Sequence, residues 1–149
     1  MANYAIDMHR TASNAASVGS VSADATRPRR GELYDLLLSS EAAAADNPFL
    51  YVIQRCTAPG TSTAVVPQAL DPADAATELD AGENCTVEPT YTAAAILLEI
   101  ALNQRATFRW IATEGGRLIY PATASNGLGV ATPTSAAVAV SVQTHVCER

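Results

Sequence analysis

From Ala136 to Val146 the chain reads AAVAVSVQTHV, and this stretch decides the fold. Ala136, Val138, Val140, Val142 and Val146 fall on one side of an extended chain, and Ser141, Gln143 and His145 on the other. Successive side chains of a strand point to opposite faces, so an apolar period of two marks an antiparallel strand half buried on a core. His145 is expected on the polar face, within reach of solvent or a neighbouring chain.

Upstream, Arg105 to Thr113 alternates in the same way. Ala106, Phe108, Trp110 and Ala112 oppose Arg105, Thr107, Arg109 and Thr113. Gly115-Gly116 supplies the positive φ angles of a tight turn, and Arg117 to Tyr120 returns as the second arm of a hairpin. Pro121 removes a ladder donor and ends it. Aromatic residues are only 5% of the chain, so Phe108 and Trp110 are expected as core anchors.

Two further strands are apolar on both faces and belong inside a sheet. Glu32 to Ser40 places Tyr34, Leu36 and Leu38 against Leu33 and Leu37; Pro48 to Thr57 places Phe49, Tyr51 and Ile53 against Leu50, Val52 and Cys56. Thr92 to Asn103 has high helix propensity, yet the Tyr91-Thr92 opening and the strand that follows favour a strand. Tyr4 to His9 reads as a short strand. Asp71 can cap a helix with Pro72 at its first position, running over Ala73 to Leu79 and ended by Gly82. Gly and Pro punctuate Ala58 to Pro67 and Pro121 to Pro133, which read as loops. The sum is one all-β domain: an antiparallel β-sandwich, jelly-roll-like, with one short helix in a long loop. Residues 31–149 form the sandwich. Residues 1–30 supply an N-terminal strand and, over Thr11 to Arg30, either a candidate extended arm or an edge strand plus loop around Val18 and Val21.

At 149 residues the chain is long enough to hold a core without staples. Its hydrophobic share of 48% rests largely on Ala, which buries little area, so neighbouring subunits are expected to add burial. The net charge of −6, with all nine positive residues Arg, disfavours nucleic acid as a partner. Arg27, Arg29 and Arg30 form the one basic cluster; beside Pro28 and Gly31 they read as a solvated loop or a subunit contact. No stretch has the length of a transmembrane helix. Met1 to Arg10 lacks the apolar run of a cleavable signal, which fits assembly in a cytoplasm.

Cys56, Cys85 and Cys147 have no metal-ligand spacing, and His9 and His145 lie near opposite ends. Buried free thiols are expected, with a Cys56–Cys147 bridge left open. Asp71, Asp74, Glu78, Asp80 and Glu83 cluster in sequence, but match no calcium loop, and the first two suit a helix start. No nucleophile elbow or phosphate-cradling glycine motif occurs. No catalytic, cofactor or metal residue is therefore expected. An enzymatic reading would require two carboxylates facing each other across a concave cleft.

The run Arg105 to Gly129, RATFRWIATEGGRLIYPATASNGLG, together with RRGELYD at Arg29 to Asp35, resembles small Ala/Thr-rich virion proteins of tailed bacteriophages. The resemblance implies a β-sandwich that decorates or cements a capsid, as a trimer seated on the major capsid protein at the virion surface. It makes Arg27, Arg29 and Arg30 candidate contacts to an acidic capsid surface, and it implies no catalytic or cofactor residues. The rival expectation is a receptor- or glycan-binding fibre or tail module, which would expose aromatic platforms or a metal site.

Overall fold

The C-terminal pattern forms β12 (Ala139–Glu148), with Val140, Val142, Thr144 and Val146 fully buried. It lies between β1 (Ala2–Arg10) and β3 (Gly31–Ala42), antiparallel to both. The computed structural model describes residues 1–12, 17–133 and 137–149, so Ala136 of the opening pattern lies outside the described residues.

Twelve strands are present among the described residues. The others are β2 (Gly19–Ala23), β4 (Pro48–Ala58), β5 (Thr61–Val65), β6 (Gln68–Ala69) and β7 (Leu79–Val87). They are followed by β8 (Thr90–Asn103), β9 (Phe108–Ile111), β10 (Leu118–Tyr120) and β11 (Gly127–Ala131). One sheet has the order β10-β3-β12-β1-β6, with β9 also on β3; the other has the order β5-β7-β2-β11-β4-β8. Every pairing is antiparallel. With the β5–β7 insertion set aside, β1-β12-β3-β9/β10 faces β2-β11-β4-β8. With β9 and β10 counted as one interrupted strand, the chain crosses between these sheets at every step except β4 to β8, which is the double Greek key of a jelly roll. Tyr4, Ile6, Met8, Leu36, Leu38 and Val142 of the first sheet share one buried cluster with Val21, Phe49, Tyr51, Ile53, Leu128 and Val130 of the second. The segment from Thr92 to Asn103 is strand, as its neighbours required.

Several expectations are corrected. The helix over Ala73 to Leu79 is absent: Asp71 caps a single turn through the N–H of Ala73 (2.9 Å). The Ala75 carbonyl then accepts the Tyr4 hydroxyl (2.8 Å), and Leu79 onward pairs with β2. Tertiary partners win over the propensity of a short segment. Gly82 sits inside β7, not at a helix end, because Ser62 occupies the space a Cβ would need.

The expected hairpin is one interrupted edge. Both β9 and β10 pair with β3, at Leu38 to Asp35 and at Leu33 to Gly31, and the loop between them turns at Gly115 (φ +78°). Phe108 consequently lies at the edge with 41% of its surface exposed, and Trp110 is only half buried. Tyr4, Phe49, Tyr51 and Tyr120 anchor the core instead.

On β3 a bulge resets the faces. His145 pairs with Asp35 but Val146 pairs with Leu33, so Tyr34 is the extra residue. Leu33 thereby joins Leu36 and Leu38 in the core, and Tyr34 turns outward to within 6.0 Å of the His145 ring.

The two expected loops contain β5 and β11, and the candidate arm contains β2, a buried strand between β7 and β11. Residues 13–16 of that arm lie outside the described residues. Small residues suit β2 and β11 because their neighbours pack directly on the backbone. A Cβ at Gly127 would strike Val21 and Ser22, and one at Gly129 would strike the Tyr91 ring.

Candidate functional site

The basic cluster is engaged with the chain's own carboxylates. Arg27 Nη1 lies 3.0 Å from Glu78 Oε1, Arg29 Nε lies 3.4 Å from Glu148 Oε1, and Arg30 Nε lies 3.7 Å from Glu32 Oε1. Glu32 is buried and also meets Arg117 (3.0 Å) and Arg149 (3.1 Å). The Glu148 carboxylate accepts the Thr77 hydroxyl (2.9 Å). Asp24 shapes the turn before the cluster by accepting the Thr26 hydroxyl and the N–H groups of Arg27 and Thr26, which hold its carboxyl down to about 2. The three arginines keep much of their surface in solvent, so a partner can still meet them.

On the outer face of the same sheet, Arg109 of β9 donates to both oxygens of Asp35 of β3 (2.9 and 2.6 Å). His145 of β12 adds Nδ1 at 3.0 Å to Oδ2. The fork of Arg109 holds the Asp35 carboxyl below the usual carboxylate range, against its burial, and His145 assists. A depression of about 220 Å³ opens beside them, lined by Asp35, Leu37, Arg109, Gln143 and His145. That lining has a carboxylate–imidazole pair but no hydroxyl or thiol for it to activate. The cluster ties β3, β9 and β12 together across the sheet.

The second sheet carries a different site. A cleft of about 400 Å³ is lined by Ser17, Val52, Gln54, Glu88, Tyr91, Ile96, Glu99, Ala131, Thr132 and Pro133. Register explains its floor: Ala131, Val52 and Glu99 lie in one row across β11, β4 and β8, with Gln54 and Ile96 in the next. Ser17 is buried and organises one wall. Its N–H donates to Glu88 Oε1 (2.9 Å), its hydroxyl bonds Glu88 Oε2, and its Oγ lies 2.7 Å from the Tyr91 hydroxyl. Burial raises the Tyr91 phenol, and the Glu88 charge adds to this, so the ring stays neutral. Gln54 donates its amide to the Thr92 carbonyl (2.8 Å), which leaves its oxygen as an acceptor. No salt bridge reaches Glu88 or Glu99 among the described residues. The cleft is thus rich in acceptors and apolar at its floor, and no cation lines it among the described residues, Arg10 acting on Glu88 from behind Thr132. It places two carboxylates, Glu88 and Glu99, on one concavity.

Sequence reasoning did not single out this cleft. Ser17 lies 71 residues from Glu88 and 74 from Tyr91, so no local spacing joins them. The acidic run that it did single out is dispersed: Asp71 caps a turn, Glu78 meets Arg27, and Glu83 accepts the N–H of His9 (2.8 Å). Among the described residues no group of His, Cys, Asp and Glu is placed to hold a metal, and no helix is long and apolar enough to cross a membrane. Cys56, Cys85 and Cys147 are buried and free, and burial pushes the first two thiols up to about 11. Compared with protein-family models, with curated proteins and with solved structures, the chain matches none.

Proposed function

We propose that this chain is a structural virion protein that binds and stabilises a bacteriophage capsid, acting as a decoration or cement protein and not as an enzyme. The observation that carries the reading is how the first sheet uses its polar chemistry. Glu32, Asp35 and Glu148, all buried, are engaged by arginines, a histidine and a threonine of the same chain. What this sheet offers outward is a rigid edge with apolar residues, Phe108 (41% exposed) and Ile111 (58% exposed) on β9. A rigid, antiparallel scaffold with apolar positions at its rim suits docking on a protein surface. The phage assignment, the major capsid protein as partner and the trimer rest on the resemblance of Arg105 to Gly129 and Arg29 to Asp35. In a trimer, one heterologous contact would repeat around the axis.

The test is to mix the purified chain with capsids of the encoding phage that lack it, then sediment and image them. Saturable binding at symmetry-related sites, three chains to a site, is the expected result. Absence from capsids, with the chain found on tails or fibres, would overturn the reading in favour of a receptor-binding module. Hydrolysis of a host polysaccharide that is lost in Glu88→Gln and Glu99→Gln would overturn it in favour of an enzyme.

A further inference from the structure

The longest edge strand of the sandwich is β8, with fourteen residues from Thr90 to Asn103; β5, β6, β9 and β10 have five, two, four and three. An edge strand presents N–H and C=O groups with no partner on one side, and proteins ordinarily blunt such an edge with proline, charge or a bulge. The first half of β8 is blunted in this way. Its register against β4 shifts repeatedly before Leu98, and Ala94 has a left-handed φ of +56°. The second half is not. Leu98 to Asn103 pairs without interruption against Ile53 to Pro48, contains no proline, and carries one charged residue, Glu99. On its inner side Leu98, Ile100 and Leu102 are only partly buried against the core, so an added strand would complete their cover.

Glu99 also forms the edge-side wall of the acceptor-rich cleft that holds Glu88. We infer that Leu98 to Asn103 is a strand-addition site for an extended segment of a partner protein, whose basic side chain enters the cleft between Glu88 and Glu99. Main-chain hydrogen bonds to β8 would supply affinity and the basic side chain register, the usual division in β-strand addition. The stem of an arginine or lysine fits the floor of Val52, Ile96 and Ala131. Its head meets two carboxylates that form no salt bridge among the described residues, and buried Arg10, behind Thr132, offsets only part of the Glu88 charge. Charge selects this occupant over a second copy of the chain, which carries a net −6 and would bring Glu99 near its own counterpart. The site is independent of the capsid assignment, because any partner of this chemistry would fit it.

The probe is the capped peptide Val-Thr-Val-Arg-Val-Thr-Val, with versions bearing Glu in place of Arg or methylated on alternate amide nitrogens. Amide exchange of the full chain is followed residue by residue. The Arg peptide should slow exchange within Leu98 to Asn103, and both control peptides should bind more weakly. Glu99→Gln should weaken the Arg peptide about two- to fivefold, the worth of one cross-strand charge pair, and leave the unliganded exchange pattern unchanged. Protection at another edge or at none, or equal affinity for the Arg and Glu peptides, would overturn the inference. So would protection of Leu98 to Asn103 that rises with protein concentration alone, because a second copy would then be the occupant.

Discussion

Two long strands, β3 and β8, are both rich in leucine and both acidic, β3 through Glu32, Asp35 and Glu41 and β8 through Glu99, yet the fold treats them differently. Inside its sheet, β3 lies between β12 and the β9/β10 edge; Leu33, Leu36 and Leu38 are buried, and Glu32 and Asp35 are matched by arginines. At the rim of the other sheet, β8 leaves its leucines half covered, and Glu99 is in no salt bridge among the described residues. The difference lies in position, since composition is similar. It teaches where partners are to be sought: a charge answered within the chain stabilises the fold, and one left unanswered beside an open edge invites an intermolecular contact.

That contrast can be broken by measurement. Leu36→Ala should cost about 2–5 kcal/mol, as a fully buried leucine does, whereas Leu102→Ala should cost about 1 kcal/mol because its burial is partial. Equal losses in chemical denaturation would show β8 to be as deeply anchored as β3. Asp35→Asn removes the charge from a bidentate pair and should cost about 1–3 kcal/mol near neutral pH. Asp35 is depressed in the folded state, so its contribution is present above the ordinary unfolded value and lost as pH falls through the lower folded value. Stability of the parent should therefore decline below about pH 4, and the variant should show a shallower decline; an unchanged slope would place the acid sensitivity elsewhere.

Smaller effects sharpen the other side of the comparison. Ser17→Ala strips Glu88 and Tyr91 of a shared hydroxyl and should cost about 1 kcal/mol, with changes in amide chemical shifts confined to the cleft. Shifts spreading into β3 would mean that the two sheets are coupled. Ile111→Thr lies at an exposed position and should leave the melting midpoint nearly unchanged, within about 0.5 kcal/mol of stability. It should nevertheless reduce capsid occupancy in the sedimentation assay; full occupancy would remove β9 from the docking edge.

The legible strands are those whose own residues carry a strong pattern. Valines alternating along β12 and the Phe49, Tyr51 and Ile53 face of β4 identify themselves, whereas β8, helix-prone by composition, is marked as strand only by its neighbours. Small-residue strands do not: β2 is Gly-Ser-Val-Ser-Ala and β11 is Gly-Leu-Gly-Val-Ala, and they read locally as an arm or edge strand and as a loop, although both lie in the interior of the second sheet. Their glycines mark close approach by Ser22 and Tyr91, which no single strand can reveal. The cleft was illegible for a related reason, because Ser17, Gln54, Glu88 and Glu99 come from separate parts of the chain and meet only through the pairing of β4, β8 and β11.

By itself the sequence determined that the chain is all-β, antiparallel and sandwiched, because side-chain alternation is a local property that each strand carries alone. Tertiary structure decided what depends on neighbours. The bulge at Tyr34 chose which leucines of β3 face the core, and the Ala75 to Leu79 segment gave up a helix for contacts with β1 and β2. The order of the strands left β8, and not β3, at the rim. Hydrogen-bond partners distant in sequence outweigh the propensity of a few residues, and only the closed fold brings those partners within reach.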